Sequence, residues 1–129
     1  MEKIEPNSFE AVAAFILYIC YQDKEVSNLE INQFESDLNI LKKLYLDIYG
    51  EYIAFDFKIS LKKVMAILKQ NDAFLSPELS TFEKNYFNQL LTDKKLKDVA
   101  LLEAKHAASA DKFHKKEKQK FNQWLELWS

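Results

Sequence analysis

The chain lacks arginine altogether and has few of the residues that interrupt helices. All 18 of its cationic side chains are lysine, and it contains one glycine and two prolines. Because sheet-rich folds need glycine and proline for their tight turns, this scarcity favours helices joined by polar turns. Because bidentate recognition of phosphates and guanine edges relies on arginine, its absence disfavours nucleic acid as a partner.

The single cysteine and the short apolar runs argue against two further classes of protein. Cys20 has no second cysteine to pair with, so nothing points to a secreted disulfide scaffold. The longest apolar run, Ala11 to Cys20, has ten residues, about half of what spans a bilayer. The N-terminus lacks the basic and apolar segments of a signal peptide. We therefore expect a cytoplasmic protein with no transmembrane segment.

What the chain does contain is typical of one globular domain. It has 129 residues, of which 48% are hydrophobic and 29% charged, close to the averages for such domains. Together with the scarcity of turn residues, this composition predicts a single all-α domain over residues 1–129. The apolar spacing divides it into a bundle of six or seven helices.

Cap residues and apolar spacing locate the first two helices. The first runs from Phe9 to Gln22, capped by Asn7 or Ser8, and Glu10 completes a capping box with Asn7. It is apolar on most faces, which predicts a place in the centre of the bundle. The second helix begins with the capping box of Ser27 to Glu30 and ends at Gly50. Its apolar residues recur every three or four positions.

The later helices are predicted from weaker signals. Tyr52 to Ile59 has apolar residues at alternate positions, and we interpret it as an extended linker or a short helix. The remaining helices are expected to begin at Ser60 (ending at Lys69), at Ser76-Pro77-Glu78, at Thr92 or Asp93 (ending near Ala110), and at Glu117 (ending at Trp128).

Two loops share one pattern of residues. In each, an apolar or alanine-rich helix ends in an aspartate, a short polar turn follows, and a glutamate begins the next helix. The first loop runs from Tyr21 to Glu30 and the second from Ser109 to Glu117. Each glutamate would lie near a helix N-terminus, where the helix dipole favours an anion.

This pair of loops resembles the motif of the TerB-like family of tellurite-resistance and stress proteins. That motif is Ala-Asp-Gly, a hydrophobic residue, a Ser- or His-like cap and then Glu. The chain departs from it at Lys24 and Lys112, which replace glycine, and its second loop is one residue shorter. The resemblance implies a helical bundle of two similar halves, with the acidic loop residues gathered near one end. It also implies a role in stress responses and metal chelation by the acidic residues.

If the two halves pack as in that family, four carboxylates converge: Asp23, Glu30, Asp111 and Glu117. Such a cluster, extended by Glu25, could hold calcium or magnesium, which prefer oxygen ligands. The alternative is that both aspartates are turn residues and that Glu30 only closes a capping box. An EF-hand is excluded, because with Asp23 as the first position the sixth is Asn28 rather than glycine, and the twelfth is Phe34.

Other candidate site residues give weaker patterns. Glu103 and His106 have the Glu-x-x-His spacing of carboxylate-bridged metal bundles, but the chain has no second copy. We therefore interpret His106 as a partly exposed histidine beside an acid. His114 is expected to begin a helix, and Cys20 to be a buried, inert thiol. No HExxH, CxxC or glycine-rich phosphate loop is present, so no enzyme is predicted.

Charge is distributed unevenly along the chain. Residues 1–83 hold 14 acidic residues and 8 lysines, a net charge of −6, whereas residues 84–129 hold 6 acidic residues and 10 lysines, a net charge of +4. A basic run near the C-terminus could contact phosphate or anionic lipid, so peripheral membrane contact stays open, although a solvated helix face is the default interpretation. That run consists of Lys112, Lys115, Lys116, Lys118 and Lys120.

The sequence leads to two hypotheses of function. The first is a non-enzymatic TerB-like domain that acts in a stress response by binding a protein partner, with a divalent cation at the paired loops. Trp128, next to the C-terminus, is the aromatic residue we expect to contact that partner. The alternative is a small immunity or inhibitor protein whose acidic helical face, including Glu30, Glu35 and Asp37, meets a basic target.

Overall fold

The computed structural model describes residues 3–110 and 112–129, and of residues 48 and 49 only the backbone. Within these ranges the chain forms six α-helices and no strand, as predicted. They are α1 (Phe9–Cys20), α2 (Asn28–Tyr49), α3 (Phe57–Lys69), α4 (Thr81–Leu90), α5 (Lys94–Ser109) and α6 (Lys115–Trp128), with short 3-10 helices at Tyr21–Asp23 and Asp72–Leu75. No helix in the described part of the chain is long and apolar enough to cross a membrane.

The helix α1 lies at the centre of the bundle, as its apolar surface predicted. Eleven of its twelve residues are buried, and Glu10 is the exception. The helix packs chiefly against α5, whose alanines at positions 100, 104, 107 and 108 are fully buried. Small side chains on both helices let their backbones approach closely. Because the first acidic loop follows α1 and the second follows α5, this contact also brings the two loops near each other.

Of the two residues expected to cap the first helix, Ser8 is the N-cap, but the predicted capping box of Asn7 and Glu10 is wrong. The Ser8 hydroxyl accepts a hydrogen bond from the N–H of Ala11. Asn7 instead joins the start of α5, where its side-chain oxygen accepts from the N–H groups of Thr92 and Asp93. Glu10 pairs with Lys63 at 2.7 Å instead of closing a capping box. The helix also ends two residues early, at Cys20, and a 3-10 turn follows.

Three predicted helix starts were wrong. The helix α6 begins at Lys115, two residues before the predicted Glu117. The helix α3 begins at Phe57, capped by Asp56, whereas Ser60 donates a hydrogen bond to Glu10. The linker before it, residues 50–56, has no regular structure. The helix α4 begins at Thr81, not at Ser76, because Ser80 and Glu83 form a capping box that satisfies its first N–H groups.

A buried polar network ties α1, α4 and α6 together. Glu83 and Lys120 are both buried and form an ion pair. Tyr18 donates a hydrogen bond of 2.6 Å to Glu83, and the indole N–H of Trp124 donates to the Tyr18 hydroxyl. Lys120 also donates to the carbonyl of Ser76. Burial lowers the pKa of Lys120 and raises that of Tyr18. Because each charge has several partners, the network can stay buried without a large desolvation penalty.

The C-terminal helix corrects two expectations about surface residues. Lys120 belongs to the buried network, so it cannot join Lys112, Lys115 and their neighbours in contacting phosphate or lipid. Trp128 is 6% exposed; its ring packs against Phe15, and its N–H donates to Asn88. Trp128 is therefore a core residue and is not available to a partner. Aromatic side chains of this size are needed to fill a core built around an alanine-rich helix pair.

Candidate metal centre

One residue in each of the two loops with the shared pattern adopts the same backbone conformation. Lys24 and Lys112 both adopt the left-handed conformation, with φ of 69° and 67°. This conformation favours glycine, because a side chain in it crowds the following carbonyl. It is also the position at which the TerB-like motif has glycine. After each of these lysines the chain continues into an N-cap residue, Ser27 before α2 and His114 before α6.

Side chains from the two loops meet at the helix starts. The Nε2 atom of His114 lies 3.7 Å from the Oδ2 atom of Asp23. Asp23, His114 and Glu117 each offer one ligand atom, and these atoms lie within 4.8 Å of one another. Asp23 and His114 are partly exposed, whereas Glu117 is fully buried. A ligand could therefore enter from the solvent side and reach a buried carboxylate at the base of the cluster.

Glu30 and Glu117 hold their helix N-termini in the same way. One oxygen of Glu30 accepts from the N–H of Ser27 at 3.1 Å, and one oxygen of Glu117 accepts from the N–H of His114 at 2.8 Å. The second oxygen, Oε2, of each glutamate is buried, and no donor from the described residues reaches it. A buried carboxylate oxygen without a partner is costly. These two atoms therefore need a proton or a cation.

The proximity of the two carboxyl groups is reflected in their proton affinities. Burial, the hydrogen bond to Glu30 and the charge of Glu30 together raise the pKa of Glu117 to about 9. Burial also raises the pKa of Glu30. A proton on Glu117 can be donated to Glu30, which satisfies both groups when no cation is bound. The site therefore holds either a shared proton or a positive ion.

Cys20 lies beneath this cluster, at the end of α1. It is buried, as predicted, and burial raises the pKa of its thiol, with smaller contributions from the charges of Glu30 and Glu117. A thiol that keeps its proton is a poor metal ligand, because metals bind the thiolate. Cys20 thus forms an apolar base for the carboxylates rather than part of a ligand set.

The structure brings together three of the four carboxylates proposed as metal ligands. Asp23 and Glu117 lie in one cluster, and Glu30 is the hydrogen-bond partner of Glu117. Asp111 lies outside the described residues. Glu25 is exposed, and its N–H donates to Asp23. Sequence reasoning placed His114 correctly at a helix start but did not consider its imidazole as a candidate ligand. The signal was available, since His114 lies three residues before Glu117 in the shared loop pattern.

A second cluster contains Asp37, Glu103 and His106, where α2 meets α5. The Nδ1 atom of His106 lies 2.9 Å from Asp37, whose other oxygen also accepts from Gln33. Burial and the neighbouring Asp37 raise the pKa of Glu103 to about 7. Both oxygens of the buried Asp37 already have partners within the protein, unlike those of Glu30 and Glu117. We therefore interpret this cluster as a polar contact that links α2 to α5.

The acidic face considered for a basic target is mostly inaccessible. Glu30 and Asp37 are 1% and 3% exposed and are engaged in hydrogen bonds, whereas Glu35 is exposed on α2. Buried carboxylates cannot attract a partner through direct contact.

Comparison of the chain with protein-family models, with curated proteins and with solved structures finds no match. The residues themselves are therefore the basis for any assignment of function.

Proposed function

We propose that the chain is a non-enzymatic, TerB-like cytoplasmic domain that binds a divalent cation between its two acidic loops. Its biological role in this proposal is that of an interaction module in a stress response, in which the domain binds a protein partner. The observation that carries the cation site is the pair of buried Oε2 atoms on Glu30 and Glu117. Both atoms lack donors among the described residues, and Glu117 forms one group with Asp23 and His114.

Three features support a ligand site over a purely structural one. The buried oxygens of Glu30 and Glu117 need a proton or a cation, the cluster opens to solvent at Asp23 and His114, and its residues come from two different loops. A structural cluster, such as that around Asp37, instead has its acceptors satisfied internally. The stress-response role and the protein partner are supported by the resemblance of the two loop motifs alone.

The test is thermal unfolding of chelator-treated protein with and without added divalent cations. A cation at 100 times its dissociation constant should stabilise the fold by about 2.7 kcal/mol, or several degrees for a domain of this size. The shift should disappear in Asp23→Asn and in Glu117→Gln. It should persist in Glu103→Gln, which removes a carboxylate from the other cluster. Absence of a shift with every cation would refute the site.

A further inference from the structure

The number of oxygen atoms that the site can offer is limited by the protein itself. One oxygen of each carboxylate is held by a backbone N–H: Glu25 donates to Asp23, Ser27 to Glu30 and His114 to Glu117. Each carboxylate therefore has one oxygen left for an ion. Three single oxygens are few for calcium, which takes six to eight, often with bidentate carboxylates.

The fourth group of the site is a nitrogen. The imidazole of His114 faces Asp23 through Nε2. The backbone of His114 is fixed because its N–H donates a hydrogen bond to the Glu117 carboxylate. Imidazole suits zinc and its neighbours among the transition metals, whereas calcium and magnesium prefer oxygen ligands. One nitrogen and up to three single carboxylate oxygens give four donors, which is the number that zinc takes in tetrahedral protein sites.

The spacing of the ligand atoms fits such an ion. Atoms bound at about 2.0–2.2 Å in a tetrahedron lie roughly 3.4 Å apart. The His114 Nε2 to Asp23 Oδ2 distance is 3.7 Å, and the atoms of Asp23, His114 and Glu117 all lie within 4.8 Å of one another. Side-chain rotations of partly exposed Asp23 and His114 can close that difference, while Glu117 stays in place as a helix cap.

We propose that the site takes a four-coordinate, zinc-class divalent ion in preference to calcium or magnesium, with His114 as its nitrogen ligand. This inference rests on the cation site proposed above and specifies its metal. It departs from the expectation of calcium or magnesium, which was based on the carboxylates alone. Glu117, which has a buried Oε2 atom without a donor, lies in one group with Asp23 and His114, and the neighbouring Glu30 has a second such oxygen.

The experiment is calorimetric titration of the chelator-treated full chain with zinc, calcium and magnesium, together with the visible spectrum of the cobalt(II) form. We expect zinc to bind at least about tenfold more tightly than calcium or magnesium, and His114→Ala to weaken zinc binding by about 10- to 100-fold. Cobalt should show the intense absorption of a tetrahedral site. His106→Ala, which removes the imidazole of the Asp37 cluster, is the matched control and should leave zinc binding unchanged.

The possible outcomes separate this inference from the proposed function. Calcium or magnesium binding as tight as zinc, lost in Glu117→Gln, would overturn the metal class but keep the site. Zinc binding that depends on His106 rather than His114 would place the ion at the other cluster and overturn both. Binding of no cation would also overturn both. Unfolding of the metal-free His114→Ala protein at the wild-type temperature would show that the variant is folded, since it keeps the backbone N–H that donates to Glu117 at the start of α6.

Discussion

The stability of the metal-free protein should fall as the pH rises, and Glu117→Gln should remove that fall. Burial and the contact with Glu30 raise the pKa of Glu117 from 4.5 to about 9. In the unfolded chain the same carboxyl loses its proton near pH 4.3. Between those two values the folded state binds one more proton than the unfolded state. Linkage then requires that the free energy of unfolding decreases with increasing pH.

The size of this effect follows from the width of the pH window. Each pH unit inside it lowers the free energy of unfolding by up to about 1.4 kcal/mol, or about 4 kcal/mol between pH 5 and pH 8. Glutamine has the shape of the protonated carboxyl and stays neutral. Its oxygen can accept from the N–H of His114, and its amide can donate to Glu30. The variant should therefore match the wild type at pH 5 and exceed its stability at pH 8 by on the order of 2–4 kcal/mol.

Urea unfolding in the presence of a chelator, at several pH values from 5 to 8, measures this difference. Glu35→Gln is the control, because it removes the same charge from an exposed position of α2 and should unfold in parallel with the wild type. The reasoning would be refuted if Glu117→Gln were less stable than the wild type at pH 8, or if the two curves ran parallel across the pH range. With a saturating cation the order should reverse, because only the wild type keeps the ligand.

Two further substitutions test the scaffold around the site. Lys120→Met leaves Glu83 buried without its counter-charge and should lower the free energy of unfolding by about 3–5 kcal/mol. Adding Glu83→Gln to this variant should recover part of that loss. Additive effects of the two substitutions in urea unfolding would contradict the coupling between the two side chains. Lys24→Gly should raise the free energy of unfolding by about 1 kcal/mol, because glycine adopts the left-handed conformation without steric strain. Lys24→Ala should give no gain. Equal melting temperatures for the two variants would show that the loop is unstrained.

The helices with the strongest local signals could be predicted from the sequence. The helix α2 begins at its Ser27 and Glu30 capping box and ends at Gly50, as predicted. Asp93 caps α5, and α1 is buried on nearly all faces. In each case the residues that decide the structure lie within one helix and its caps. Local hydrogen bonding and apolar patterning are then sufficient.

The errors concern residues whose roles depend on distant parts of the chain. The start of α4 was placed at Ser76 because proline suits the first turn of a helix. In the fold, Ser76 instead binds Glu83 and Lys120. Lys120 was assigned to a basic surface because its neighbours in sequence are lysines. Its burial depends on Glu83, 37 residues away. Such pairings are set by tertiary packing, which a local pattern does not contain.

The candidate metal centre shows why capping and ion binding appeared to be alternative roles for its acidic residues in the sequence. A glutamate three residues after an N-cap is explained fully by capping, so the pattern alone gives no reason to add a ligand. In the structure, capping uses one oxygen of Glu30 and one of Glu117 and leaves the other oxygen of each buried without a donor among the described residues. Two separate capping boxes become a possible ion site only because packing of α1 against α5 brings both helix starts to one place. The cap fixes the direction of each remaining oxygen, and the same glutamate can therefore hold its helix and bind an ion.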